Sequence, residues 1–185
     1  MSLTTARPAH VALLRGINVG GKNKLPMKDL VAVFAGAGCA DVRSYIQSGN
    51  VVFRASPELA ARLPALVAGA IAERFGLRVP VVMRTADELR EVSEHNPFLA
   101  AGADRPALHV MFLADQPSPA HAAALDPERS PGDAFELRGR DIYLHCPNGV
   151  ARTKLTNDYF DKTLATTSTG RNWNTVLHLL ELAQE

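Results

Sequence analysis

The fold turns on the reading of LLRGINVGGKNKLPMKDL, residues 13–30. Its first two residues close the apolar run His10–Leu14, which reads as a buried strand. From Pro26 onward, Met27, Leu30, Val31 and Phe34 recur at i, i+3, i+4 and i+7 and predict a helix. Between them lies a loop rich in glycine, asparagine and lysine, a composition with which a backbone wraps an anion. Gly16, Gly20 and Gly21 permit positive φ and close approach, so successive N–H groups can converge on one oxyanion. Arg15, Lys22 and Lys24 add charge, and the helix opening near Pro26 adds the positive end of its dipole. The spacing matches neither G-x-x-x-x-G-K-[ST] nor G-x-G-x-x-G with an acidic residue about 20 positions on. The alternative is a long turn whose glycines only reverse the chain.

Downstream, Gly36 and Gly38 stop that helix. Val42–Ile46, the turn Gln47-Ser48-Gly49-Asn50 and Val51–Arg54 read as a hairpin. Ser56-Pro57 opens a second helix carried by Leu59, Leu63, Leu66, Val67, Ala70, Ile71 and Phe75, with Pro64 predicting a kink or a late start. Gly76 ends it. Arg78–Met83 follows as a strand whose Pro80 favours a sheet edge, and Thr85 with Glu88 forms a capping box. This order is βαββαβ, the split-βαβ arrangement of ferredoxin-like domains.

A connector, 96–106, leads to a second round. Leu108–Leu113 is a strand, Pro119–Leu125 a helix, and Ala134–Leu137 with Ile142–Cys146 a hairpin. Thr153–Asp161 is a helix, Leu164–Ser168 a last strand, and Trp173, Val176, Leu177 and Leu180 mark a C-terminal helix. The expected class is α+β or an α/β sandwich of two ferredoxin-like units, a degenerate duplication, over residues 1–95 and 107–185. A single continuous α/β sandwich is the alternative. The Val- and Leu-rich runs suggest parallel strands buried on both faces.

The 185 residues suffice for one large or two small domains. With 46% apolar and 21% charged residues the composition is globular. A formal net charge of +1 gives no global field toward nucleic acid or membrane, so any anion site must be local. Cys39 and Cys146 show neither C-x-x-C spacing nor a histidine cluster, which argues against a metal or a disulfide framework. MSLTTARPAH has no signal-peptide run and no stretch reaches membrane-span length, so a cytoplasmic protein is expected.

Two further stretches bear polar side chains that point to binding. Tyr45-Ile46-Gln47-Ser48-Gly49-Asn50 puts serine beside glycine but lacks G-x-S-x-G, and reads first as a hairpin turn. Ser48 has no identifiable base partner. The tail offers Arg152, Lys154 and Asn157, then Thr169-Gly170-Arg171-Asn172-Trp173-Asn174. Asn172 or Thr169 could cap the last helix and Trp173 could be core, or Arg171 and the sole tryptophan could flank a polar site. The histidines do not cluster, and no acid–base pair stands out.

The segments ALLRGINVGGKNKLPMKDL, DVRSYIQSGNVVF and TGRNWNT together resemble the uncharacterised bacterial family called domain of unknown function 1697. The resemblance covers nearly the whole chain. It implies a compact α/β fold built like two ferredoxin-like halves, and no known activity. Its pattern falls on Arg15, Gly16, Asn18, Gly20, Gly21 and Lys24, then on Gln47, Ser48, Gly49 and Asn50. At the carboxyl end it falls on Lys154, Leu155, Asn157, Arg171, Asn172, Trp173 and Asn174, with Gly170 departing from the family's tail.

The resulting expectation is a phosphate-bearing small molecule, such as a nucleotide, cradled by Arg15–Lys24. Lys22 lies within that loop, Gln47, Ser48 and Asn50 would bind the rest, and Lys154, Asn157, Arg171, Asn172 and Trp173 would close the site. A reaction there would be phosphoryl or nucleotidyl chemistry resting on positioning and charge. No cofactor is indicated. Single-stranded RNA binding is the first rival, disfavoured by 6% aromatics and the lack of an RNP-like run. A protein–protein interaction module is the second.

Overall fold

The computed structural model describes residues 7–185. The expectation on the amino-terminal stretch MSLTTARPAH falls in part on Met1–Ala6, which lie outside them. The chain divides into two compact units, Met1–Leu89 with Leu179–Glu185, and Arg90–His178. Each carries a four-stranded antiparallel sheet with helices.

In the first unit, β1 (Ala9–Leu14), β2 (Ala40–Tyr45), β3 (Asn50–Arg54) and β4 (Val81–Thr85) line up in the order β2-β3-β1-β4. Helices α1 (Met27–Gly36) and α2 (Pro57–Phe75) pack on one face through Leu30, Phe34, Leu63, Val67 and Ile71 against Ala12, Leu14, Val51 and Phe53. Ser56 caps α2, accepting from the Leu59 N–H at 3.3 Å, and Gly76 ends it in the left-handed region with φ of 66°. The helix runs unbroken through Pro64, so the expected late start does not occur. Pro80 precedes its strand, and β4 runs on to Thr85 at the sheet edge. The Thr85–Glu88 capping box closes in both directions, at 2.8 and 3.1 Å, and starts α3 (Ala86–Glu94).

Across residues 96–106, Asn96 caps the short helix α4 (Pro97–Ala100). The second unit holds β5 (Leu108–Leu113), α5 (Pro119–Ala123), β6 (Ala134–Arg138), β7 (Asp141–His145), α6 (Asn157–Leu164) and β8 (Ser168–Asn172). Its strand order is β6-β7-β5-β8, the same sequence-relative order as in the first. Met111, Leu113, Ile142 and Leu144 face Leu155, Phe160 and Leu164. The C-terminal helix α7 (Trp173–Gln184) begins in the second unit and places its last turns in the first.

Three further expectations change. The strands are antiparallel, not parallel; continuous apolar runs arise because both faces are buried, as Val11, Leu13, Val52 and Val82 show opposite the helices. Helix α6 starts at Asn157 because Leu155 is buried and Thr156 caps, accepting from the Tyr159 N–H at 3.2 Å. The last strand is Ser168–Asn172, not Leu164–Ser168, because Ala165 takes a left-handed φ of 52° and ends α6 first.

Candidate functional site

The loop after β1 is a small hairpin of its own. Val19 and Lys22 form a β-bridge, the Lys22 N–H donating to the Val19 carbonyl at 3.0 Å. Gly20 and Gly21 at its tip have φ of 57° and 74°, the two positive values that a two-residue reversal of this kind requires. Asn18 pins the base. Its Nδ2 donates to the carbonyls of Leu25 and Gln47, at 2.8 and 2.9 Å, and its Oδ1 accepts from the Leu25 N–H at 2.8 Å. Asn23 Nδ2 donates to the Gly16 carbonyl at 2.8 Å, and the Asn18 N–H donates to the Asn23 carbonyl at 3.1 Å.

The structure therefore brings the two N-terminal motifs together. Gly49 packs on Leu14 and Ile17, and the Leu14 N–H donates to its carbonyl at 2.8 Å. Asn50 is buried, donating to the Tyr45 carbonyl and to Ser48 Oγ at 3.2 and 3.1 Å. Gln47 is exposed and Ser48 half-buried. The glycines serve the hairpin, and the Asn18 and Lys22 N–H groups are engaged inside it. Arg15 is half-buried, while Lys22 and Lys24 are exposed. Residues 15–28 carry Arg15, Lys22, Lys24 and Lys28 with no acidic residue among them.

The carboxyl-terminal motif lies in the second unit, on and beside β8. Arg171 is buried, its Nη1 donating to Thr169 Oγ1 at 2.9 Å and to the Gly170 carbonyl at 2.7 Å, and burial lowers its pKa to about 10. Trp173 is fully buried and offers no ring face to a ligand; it is a core residue. Asn172 caps α7, accepting from the Thr175 N–H at 2.9 Å. Lys154 is exposed, and its backbone N–H donates to Ser130 Oγ at 3.0 Å.

Asn157 belongs to a polar chain centred on the buried Ser168. Its Nδ2 donates to the Ser168 carbonyl and hydroxyl at 3.1 and 2.9 Å. That hydroxyl and the Ser168 N–H both donate to Asp161 Oδ1, at 2.7 and 2.8 Å. Asn157 and the strand Gly170–Asn172 line an open cleft of about 360 Å³, with His109, Met111, Leu144, Val150, Thr153, Leu155 and Thr156.

Sequence reasoning passed over His109, Arg84 and Ser168. The signal for the first two was internal similarity. His10-Val11 and His109-Val110 take corresponding places on β1 and β5, and Arg84-Thr85 and Arg171-Asn172 on β4 and β8. In each unit the valine is opposite the arginine and the histidine is opposite the helix-capping residue. Each arginine donates through Nη1 to the carbonyl just before it, at 2.8 Å for Arg84. Both histidines have lowered pKa values, first through burial, which a carbonyl two residues back partly offsets.

Cys39 and Cys146 are free and buried, and burial holds both thiols above their ordinary pKa. Among the described residues no helix is long and apolar enough to cross a membrane, and no His, Cys, Asp or Glu group could hold a metal ion.

No curated protein matches this chain. A solved structure, that of a conserved bacterial protein from Streptococcus pneumoniae, matches with a TM-score of 0.69 at 21% identity, over 96% of this chain and 99% of that one. At that identity the likeness shows the fold. The model of the family described as "Protein of unknown function (DUF1697)" matches residues 8–143, the span holding the pinned loop and the hairpin turn that Asn18 ties to it, and the chain belongs to that family.

Proposed function

We propose that the protein binds a phosphate-bearing small molecule at the Arg15–Lys24 loop, with Gln47 and Ser48 of the adjoining turn as hydrogen-bonding partners. One observation carries this reading: a segment with four cations and no carboxylate, residues 15–28, is held in a fixed shape by Asn18 and Asn23 in a chain of net charge +1. A pre-shaped cationic loop loses little freedom on binding, which favours a compact anion. The loop holds no nucleophile–base pair, so a reaction here would rest on positioning and charge.

The experiment is a titration with a nucleoside monophosphate, a sugar phosphate and inorganic phosphate, followed by backbone amide NMR. Saturable shifts within residues 15–24, abolished in Lys22→Gln/Lys24→Gln, support the reading. Both lysines are exposed, so the variant keeps the fold. Unchanged shifts in that variant, or none in the parent, overturn it.

Base stacking on an open sheet face, the usual ferredoxin-like route to RNA, is less well supported. The faces opposite the helices bury Val11, Val52 and Val82 in one unit and Val110, Phe112 and Tyr143 in the other.

On the same footing, we infer that the chain is a duplicated ferredoxin-like unit. The copies are the halves 1–95 and 107–185 read from the sequence. Support comes from the equal strand order and from the histidine, valine, arginine and cap residues repeated at matching register.

A further inference from the structure

We infer that the cleft beside β8 is a second binding site, for an uncharged heterocycle bearing a lactam edge, the adjacent N–H and C=O of a nucleobase. Its lining residues all belong to the second unit, so the inference does not depend on the anion reading of the loop.

The first argument is charge. No lysine, aspartate or glutamate lines the cleft. Thr169 and Arg171 alternate along β8 with Gly170 and Asn172, so the Arg171 guanidinium leaves on the opposite face, where it bonds Thr169 and the Gly170 carbonyl. The floor is apolar, from Met111, Leu144 and Leu155, and Val150 at the edge is 47% exposed. At about 360 Å³ the cleft is within the size range of small-molecule sites.

The second argument is hydrogen-bond valence. Thr153 Oγ1 accepts from the Leu155 N–H, and Thr156 Oγ1 from the Tyr159 N–H. Two amides then join the His109 ring in setting the specificity, and neither amide can flip. Asn157 must turn its NH₂ to the Ser168 carbonyl, which only accepts, so its Oδ1 remains as an acceptor. Asn172 must turn its Oδ1 to the Thr175 N–H, which only donates, so its NH₂ remains as a donor. One fixed acceptor and one fixed donor over an apolar floor complement a lactam edge. A site built to bond such an edge rejects analogues that lack it.

The test titrates the full-length chain with uracil and with 1,3-dimethyluracil, following the side-chain amide signals of Asn157 and Asn172. Saturable uracil binding that moves both signals is expected, with the dimethyl compound about tenfold weaker for one lost hydrogen bond. Asn172→Asp keeps an acceptor for Thr175 and removes the donor, so it should retain the melting temperature and weaken uracil about tenfold. Equal affinity for the two compounds, unchanged affinity in N172D, or no response to uracil up to its solubility each overturns the inference.

Discussion

The side-chain amide of Asn18 pairs with the backbone of Leu25 as one strand residue pairs with another, accepting its N–H and donating to its carbonyl, both at 2.8 Å. A third bond, to the Gln47 carbonyl, ties the pair to the next turn. An aspartate there would keep the shape but set a carboxylate against two carbonyl oxygens. Asn18→Asp should therefore destabilise at least as much as Asn18→Ala, by about 1–3 kcal/mol. Urea unfolding measures the loss, and faster exchange of the Leu25 amide would place it in the loop.

Gly49 combines a φ of 83° with a backbone so close to its neighbours that an added Cβ would lie 2.9 Å from Leu14 Cβ and 3.0 Å from Ile17 Cδ1. Both neighbours are completely buried. Gly49→Ala should cost about 2–4 kcal/mol from left-handed strain and overpacking together. Gly20→Ala, at φ of 57° with open space around its Cβ, should cost clearly less. Chemical denaturation of the pair separates crowding from conformation.

Burial lowers the pKa of both His10 and His109. The unfolded chain then binds protons that the folded histidines resist, so stability falls as pH drops through the unfolded imidazole value of about 6.5 toward the lowered folded values, and is fully present above it. Between about pH 7 and pH 5 the melting temperature should decline, and His10→Leu should flatten part of that slope. A slope unchanged in the variant would assign the effect elsewhere.

Ser168 is completely buried and joins Asn157 to Asp161. Ser168→Ala leaves Asp161 without that hydroxyl donor and should cost about 1–3 kcal/mol. The Asn157 side-chain amide signal should broaden as its anchoring weakens. Intact stability with a sharp Asn157 signal would show that the backbone bonds suffice.

Legibility followed the kind of signal each residue emitted. The Thr85–Glu88 box, the Ser56-Pro57 start and Gly76 stop are local rules, and the chain obeys them. Strand direction was misjudged because unbroken runs such as Val11–Leu14 mark two-sided burial, whatever the pairing. The last strand was misplaced because Ala165, an ordinary helix former, ends α6 in a left-handed turn that no propensity forecasts. Polar motif residues were easy to find but hard to assign: Asn18 and Asn50 stabilise turns, and Arg171 and Trp173 lie buried. Asn157, Arg171 and Asn172 were legible as polar motif residues, but His109 joins them at the cleft only through strand register.

Helix α7 begins in one unit and delivers Leu179–Glu185 to the other, where Arg43 donates to the Leu182 carbonyl at 2.7 Å and pairs with Glu185. On the ribosome, the first unit to emerge must therefore wait for the last residues before it is whole. Residues 9–85 already hold its four strands and buried core, so what arrives last is the seam along Arg43, where Leu182 and Glu185 bond the strand β2.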